Sequence, residues 1–290
     1  MLKCSISLSL LVFASVLVGC GSTSSQMATK TSEATEPAAA KPATANHFAF
    51  ADIQFRPFNP KQPDGINVYA IVGNPGAGPF SAIVRFPAKF QMPLHSHDYA
   101  YDAIALSEGL YHGSSDGDVH DVAKGSLWRQ PAKEPHVDGC KSDTFCYFLV
   151  SFEGPVNMVP EKAPSTEPHA SVTTPDAIVW KEMRGGVKMA AIRGDHTKGP
   201  FLALIDFPAG LKTNVHTHSA SFGGVLLSGT HHRGASEDAL VTLSPNGVWF
   251  EPAGAAHMEK CGDKANCIFF VTFDGPLDHK AVVLTPGEGK

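Results

Sequence analysis

The chain repeats itself. His95 and His97, in the stretch PLHSHDYAY, recur as His216 and His218 in NVHTHSASF, a shift of 121 positions. The same shift carries Gly78-Pro79-Phe80 onto Gly199-Pro200-Phe201 and Phe86-Pro87-Ala88 onto Phe207-Pro208-Ala209. It carries Trp128 onto Trp249, Pro131 onto Pro252, His136 onto His257, and Cys140 and Cys146 onto Cys261 and Cys267. Phe152, Gly154 and Pro155 meet Phe273, Gly275 and Pro276 at its end. Gly109 meets Gly229 one residue out of step, and the step is recovered by Gly113 and Gly234. A fixed long period marks a duplicated structural unit. Any fold for this chain must therefore fit twice, over 47–165 and again over 166–290, and each copy serves as an alignment for the other.

Within each copy the runs are short and β-like. SAIVRFPA, YDAIALSEG and CYFLVSFEG are rich in Ile, Val and aromatics and are broken by Gly, Pro and Asp. FLALIDFPAG, GGVLLSGT and CIFFVTFDG echo them. No long amphipathic helix stands out, and 22 Pro and 27 Gly supply the turns. The expectation is all-β: two tandem sandwich or jelly-roll barrels. A formal charge of −5 with no Lys/Arg-rich stripe excludes nucleic acid as a partner.

The first residues have a separate role. Residues 1–19 carry one Lys and an apolar run too short to span a bilayer comfortably, which reads as an export signal. Leu17-Val18-Gly19-Cys20 resembles the bacterial lipobox, which implies cleavage before Cys20 and lipidation of that cysteine. Gly21 follows, with no Asp to imply inner-membrane retention. The expected address is the bacterial envelope, facing the periplasm and favouring the outer membrane, with contact to the membrane through the lipid alone. Residues 20–46, poor in anything to bury, read as a flexible tether.

The histidines carry the chemistry. Side chains two apart on a strand share a face. His95 with His97, and His216 with His218, can each point into a barrel, and a third His follows 39 residues later at His136 and His257. One H-x-H is a weak signal; the same three-His spacing found twice is a metal-site pattern.

These residues resemble the cupin motifs. His95-x-His97, Asp102 and Gly109 match the first motif, with Asp where the motif has Glu. Gly125, Pro131 and His136 match the second, with Lys133 at a motif Gly that the second copy keeps as Gly254. The chain is thus similar to bicupins, closest to bacterial cupin-like proteins of unknown function and distantly to the cupin domain of ChrR-type anti-sigma factors. The resemblance implies one divalent metal per domain at most: His95, His97, Asp102 and His136 in copy one; His216, His218 and His257 in copy two. Tyr101 is the alternative inward neighbour of Asp102. Copy two has Phe222 and Gly223 there and no carboxylate, so it holds either a three-His site or a chamber without metal. Zn, Fe, Ni, Cu and Mn all remain open.

Each Cys pair brackets a five-residue turn, and export places it in an oxidising compartment. Disulfides Cys140–Cys146 and Cys261–Cys267 are expected; the competing role is Cys140 and Cys261 as further ligands. Two functions fit. One is a metal-dependent enzyme on a small molecule, such as an oxygenase, isomerase or hydrolase, with His112, His231 or His232 as acid/base candidates and His112 set against His232. The other is a non-catalytic metal or small-ligand binder or sensor. Either is compatible with a homo-oligomer.

Overall fold

The computed structural model describes residues 45–164, 170 and 172–282. Among them there are strands and four short 3-10 turns, and no α-helix. Each half builds one seven-stranded sheet. The first runs in the order 172–173, 127–130, 101–105, 146–152, 80–86, 67–73, 56–57. The second runs 46–48, 248–251, 222–228, 267–273, 201–207, 188–194, 181–182. A three-stranded sheet closes each barrel: 137–140, 110–115 and 118–122 in the first, 258–261, 231–234 and 241–243 in the second.

The central strands read as nearly continuous apolar runs because both their faces are buried. Along Phe80–Phe86, Phe80, Ala82, Val84 and Phe86 fill the first barrel, while Ile83 faces the other way. Its equivalent Phe201–Phe207 sends Phe201, Ala203, Ile205 and Phe207 inward and Leu202 and Leu204 outward. The outward residues meet: Ile83, Ile104 and Leu149 pack with Leu204, Val225 and Phe270 in a third core between the sheets. Period-two alternation thus separates three cores along the same strands.

The halves also trade arms. Asn46–Phe48 pairs antiparallel with Val248–Glu251 of the second barrel, His47 opposite Trp249. Val172–Thr173 pairs with Leu127–Gln130 of the first, Val172 opposite Trp128. Sheet membership therefore crosses the expected 47–165 and 166–290 boundary at both arms. Gly109 and Gly229 make the same left-handed turn (φ 84° and 89°) after equivalent strands, which accounts for the one-residue slip as a local length difference. A Cβ at Gly229 would lie 2.5 Å from the Asn266 carbonyl oxygen, so glycine is required there.

Both cysteine pairs are disulfides, Cys140–Cys146 and Cys261–Cys267, each with Cα atoms 5.7 Å apart across a hairpin. Cys140 and Cys261 are thereby removed from the candidate ligands.

Candidate metal centres

Each barrel gathers three imidazoles. His95 and His136 sit opposite each other on neighbouring strands, exchanging backbone hydrogen bonds of 3.0 and 2.8 Å. His216 and His257 do the same at 2.8 and 2.9 Å. His97 and His218 join from two residues along. Ligand atoms within each trio lie within 4.8 Å of one another, and all six rings are buried. The motif glycine turns out to be a backbone requirement. Lys133 adopts φ 62° and donates its N–H to the His97 carbonyl at 2.7 Å, as Gly254 at φ 77° does to His218 at 2.8 Å.

The rings are oriented alike. His95 Nδ1 donates to the Pro93 carbonyl at 2.9 Å, His136 Nδ1 to the Glu134 carbonyl at 3.0 Å, and His97 Nδ1 to the Asn157 carbonyl. In the second barrel His216 Nδ1 donates to the Asn214 carbonyl at 2.8 Å, His257 Nδ1 to the Ala255 carbonyl at 3.1 Å, and His218 Nδ1 to the Asp278 carbonyl. A carbonyl can only accept, so every Nδ1 carries the proton and every Nε2 presents a lone pair. Six rings fixed in one tautomer by partners behind them is the arrangement that metal-ligating histidines adopt. His257 Nε2 is buried with no hydrogen-bond partner. Burial pushes His136 down to about 3 and His216 to about 4, and lowers His97, His218 and His257. Those five rings are therefore neutral, the form that binds metal, and the residues present fit a divalent ion.

The surroundings differ between barrels. In the first, a cavity of about 70 Å³ opens above His95 and His97, lined also by Tyr101, Asp138 and apolar side chains. Phe58 and Met158 line it and are 36% and 41% exposed, which marks its mouth. Tyr101 Oη lies 3.4 Å from His136 Nε2, and burial raises this phenol well above its ordinary range. In the second barrel Phe222 occupies the Tyr101 position, and His279 stacks on His216 with ring centroids 4.2 Å apart.

Asp102 does not join its triad. The strand Tyr101–Ala105 turns Tyr101 into the barrel, so alternation turns Asp102 outward. There it pairs with Arg129 and Arg193, each at 3.1 Å, the second arginine coming from the other half of the chain. It is a link between the halves. Of the acid/base candidates, His112 lies behind the first triad, its Nδ1 2.6 Å from Asp138 and its Nε2 3.0 Å from Gln130. His231 is buried against Phe269. His232 turns away and meets Thr242 Oγ1 at 2.9 Å. Strand register sets His112 opposite Asp138 and Arg233 opposite Glu259, so the partner of His112 is Arg233 and not His232. Sequence reading missed Asp138 and Glu259. Each stands two residues after the third His at the same point of the repeat, and that spacing was the available signal.

A family model described as "Domain of unknown function (DUF4437)" matches residues 70–280. No curated protein matches the chain. Among solved structures, a proposed dioxygenase from Nostoc punctiforme aligns at 13% identity and TM-score 0.65, covering 84% of this chain and 89% of its own. Oxalate decarboxylase from Lactobacillus farciminis, in a formate complex, aligns at 15% identity and TM-score 0.53, covering 83% and 90%. A variant of oxalate decarboxylase from Bacillus subtilis aligns at 15% identity and TM-score 0.51, covering 83% and 81%. At such identities the likeness shows the fold alone: two tandem cupin barrels.

Proposed function

The chain belongs to the DUF4437 family, and on that premise we propose that it is a metal-dependent enzyme acting on a small, largely apolar molecule in its first barrel. The observation that carries this reading is the set of six imidazoles whose Nδ1–H groups are tied to backbone carbonyls. His95, His97 and His136 would hold one ion; His216, His218 and His257 would hold another. A bound divalent ion with an open position supplies Lewis acidity toward a substrate oxygen. The apolar cavity walls take the body of the substrate and exclude water. Tyr101, kept protonated by burial, holds its O–H at the triad face and donates to negative charge developing on a substrate oxygen. The mouth formed by Phe58 and Met158 favours an apolar entrant.

Metal analysis of full chain loaded in turn with Zn, Fe, Ni, Cu and Mn tests the reading. Two equivalents are expected; His95→Ala with His97→Ala should remove one, and His216→Ala with His218→Ala the other. No metal with any ion overturns it. Azide added to cobalt-loaded protein should alter the visible spectrum of the first site. An unchanged spectrum would mean a closed site, favouring a binder or sensor over an enzyme.

For location we propose a lipid-anchored envelope protein facing the periplasm. This rests on Leu17 to Cys20, which lie outside the described residues. Cys20→Ser should move the protein out of the membrane fraction, and unchanged lipid labelling of that variant would count against the anchor.

A further inference from the structure

In both barrels a carboxylate follows the third His by two residues, at Asp138 and Glu259, on the strands Val137–Cys140 and Met258–Cys261. Alternation puts it on the face of that His. Asp138 Oδ2 stands 3.5 Å from His136 Nε2 and 3.9 Å from His95 Nε2. Its other oxygen accepts from His112 Nδ1 at 2.6 Å, which fixes the carboxylate without turning it from the triad. The first site thus gathers three imidazole lone pairs and sets a buried carboxylate oxygen within 4 Å of two of them, those of His136 and His95. All four are acceptors, so they repel one another until a cation stands between them.

The second barrel breaks the pattern at the matching position. Arg233 replaces His112 in register, and its guanidinium takes the Glu259 carboxylate while reaching Glu251 at 3.3 Å. A permanent cation therefore already neutralises the Glu259 carboxylate, the counterpart of the one that Asp138 offers to its triad.

We propose that Asp138 is the fourth protein ligand of the first metal site, in the role that the first-motif carboxylate was expected to fill, and that Arg233 withholds Glu259 from the second site. The first site is then three imidazoles and a hard oxygen anion, and the second is three imidazoles. Oxygen-favouring ions such as Mn(II) should prefer the first. This rests on the metal reading above.

The test uses Mn(II) as the probe on full-length protein, with free ion read by electron paramagnetic resonance. The variant H216A/H218A reports the first site alone, and H95A/H97A the second. The first site should bind Mn(II) at least about tenfold more tightly. Adding Asp138→Asn to H216A/H218A should weaken Mn(II) binding about 10–100-fold, while Asp102→Asn in the same background should change it less than about twofold. Equal Mn(II) affinity at the two sites, or an Asp138→Asn affinity matching its parent, overturns the assignment. The two-site comparison decides even where Asp138→Asn does not fold. If H216A/H218A takes up neither Mn(II) nor Zn(II), the metal reading itself fails, and this assignment with it.

Discussion

Arg233 is the cation on which the second barrel's interior depends. It is fully buried, its Cζ lies 4.6 Å from the Trp249 ring centroid, and it bonds both Glu259 and Glu251. Arg233→Met keeps the apolar stem but strands two carboxylates that are 7% and 2% exposed. His47, 3.0 Å from Glu251, and His231, 3.9 Å from Glu259, are then the basic groups left beside that pair. Removing one member of a buried ion pair costs about 3–5 kcal/mol. For a chain of this size each kcal/mol is worth about 2–4 °C, so the Tm should fall by about 6–20 °C. Arg233→Lys keeps the charge and should lose less. Scanning calorimetry of metal-free protein at pH 7 measures this. A loss under about 2 °C would refute the reasoning, because the two glutamates would then be satisfied by other groups. The network also has an acid signature. Burial alone would raise Glu259, but Arg233, first among several nearby basic groups that together outweigh it, helps hold the carboxyl at about 2. A depressed carboxyl contributes stability above its unfolded pKa, and that stability is lost as pH falls toward 2. In Arg233→Met the acid transition should move to higher pH.

Other outcomes follow from the same structure. Cys140→Ala with Cys146→Ala opens a loop of 6-residue separation and should cost about 2.4 kcal/mol by urea denaturation; metal content should be unchanged, and its loss would restore Cys140 as a ligand candidate. His136 at about 3 and His216 at about 4 mean that, as pH falls, protons bind the unfolded chain first. Metal-free stability should therefore decline from about pH 6.5 toward 4, and a flat profile across that window would contradict the buried, neutral rings. Asp102→Ala removes the charged hydrogen bonds from Arg129 and the ion pair with Arg193 and should cost about 1.5–3 kcal/mol; full metal occupancy in that variant separates the inter-half role from a ligand role.

The barrels, the triads and the disulfides were legible because the two copies keep them at one shift. Period two along a strand then turned H-x-H into a shared face. The same rule, applied one residue out of phase, misplaced the carboxylate. Motif spacing pointed to Asp102, but the strand enters with Tyr101 inward, and only the fold sets that phase. Asp138 and Glu259 went unread because they differ in length and stand beside a His that already explained the segment. The traded arms were hidden by a local slip. His47 and Val172 occupy equivalent pairing positions at a spacing that the main period does not share. Arg233 was hidden similarly, since His112 has a histidine near its expected counterpart and register alone decides between neighbours.

The crossing of Asn46–Phe48 into one sheet and Val172–Thr173 into the other makes this single chain a tied homodimer. Each half lends the edge strand that the other needs, as two separate subunits with swapped tails would. Neither half, cut out by itself, carries the strand that covers its own tryptophan-bearing edge at Trp128 or Trp249. Two half-chains expressed apart would each display a bare edge cut to fit the other's tail. Covalent linkage keeps each arm beside the edge it fits even though the halves differ in sequence, with histidine at 112 and arginine at 233.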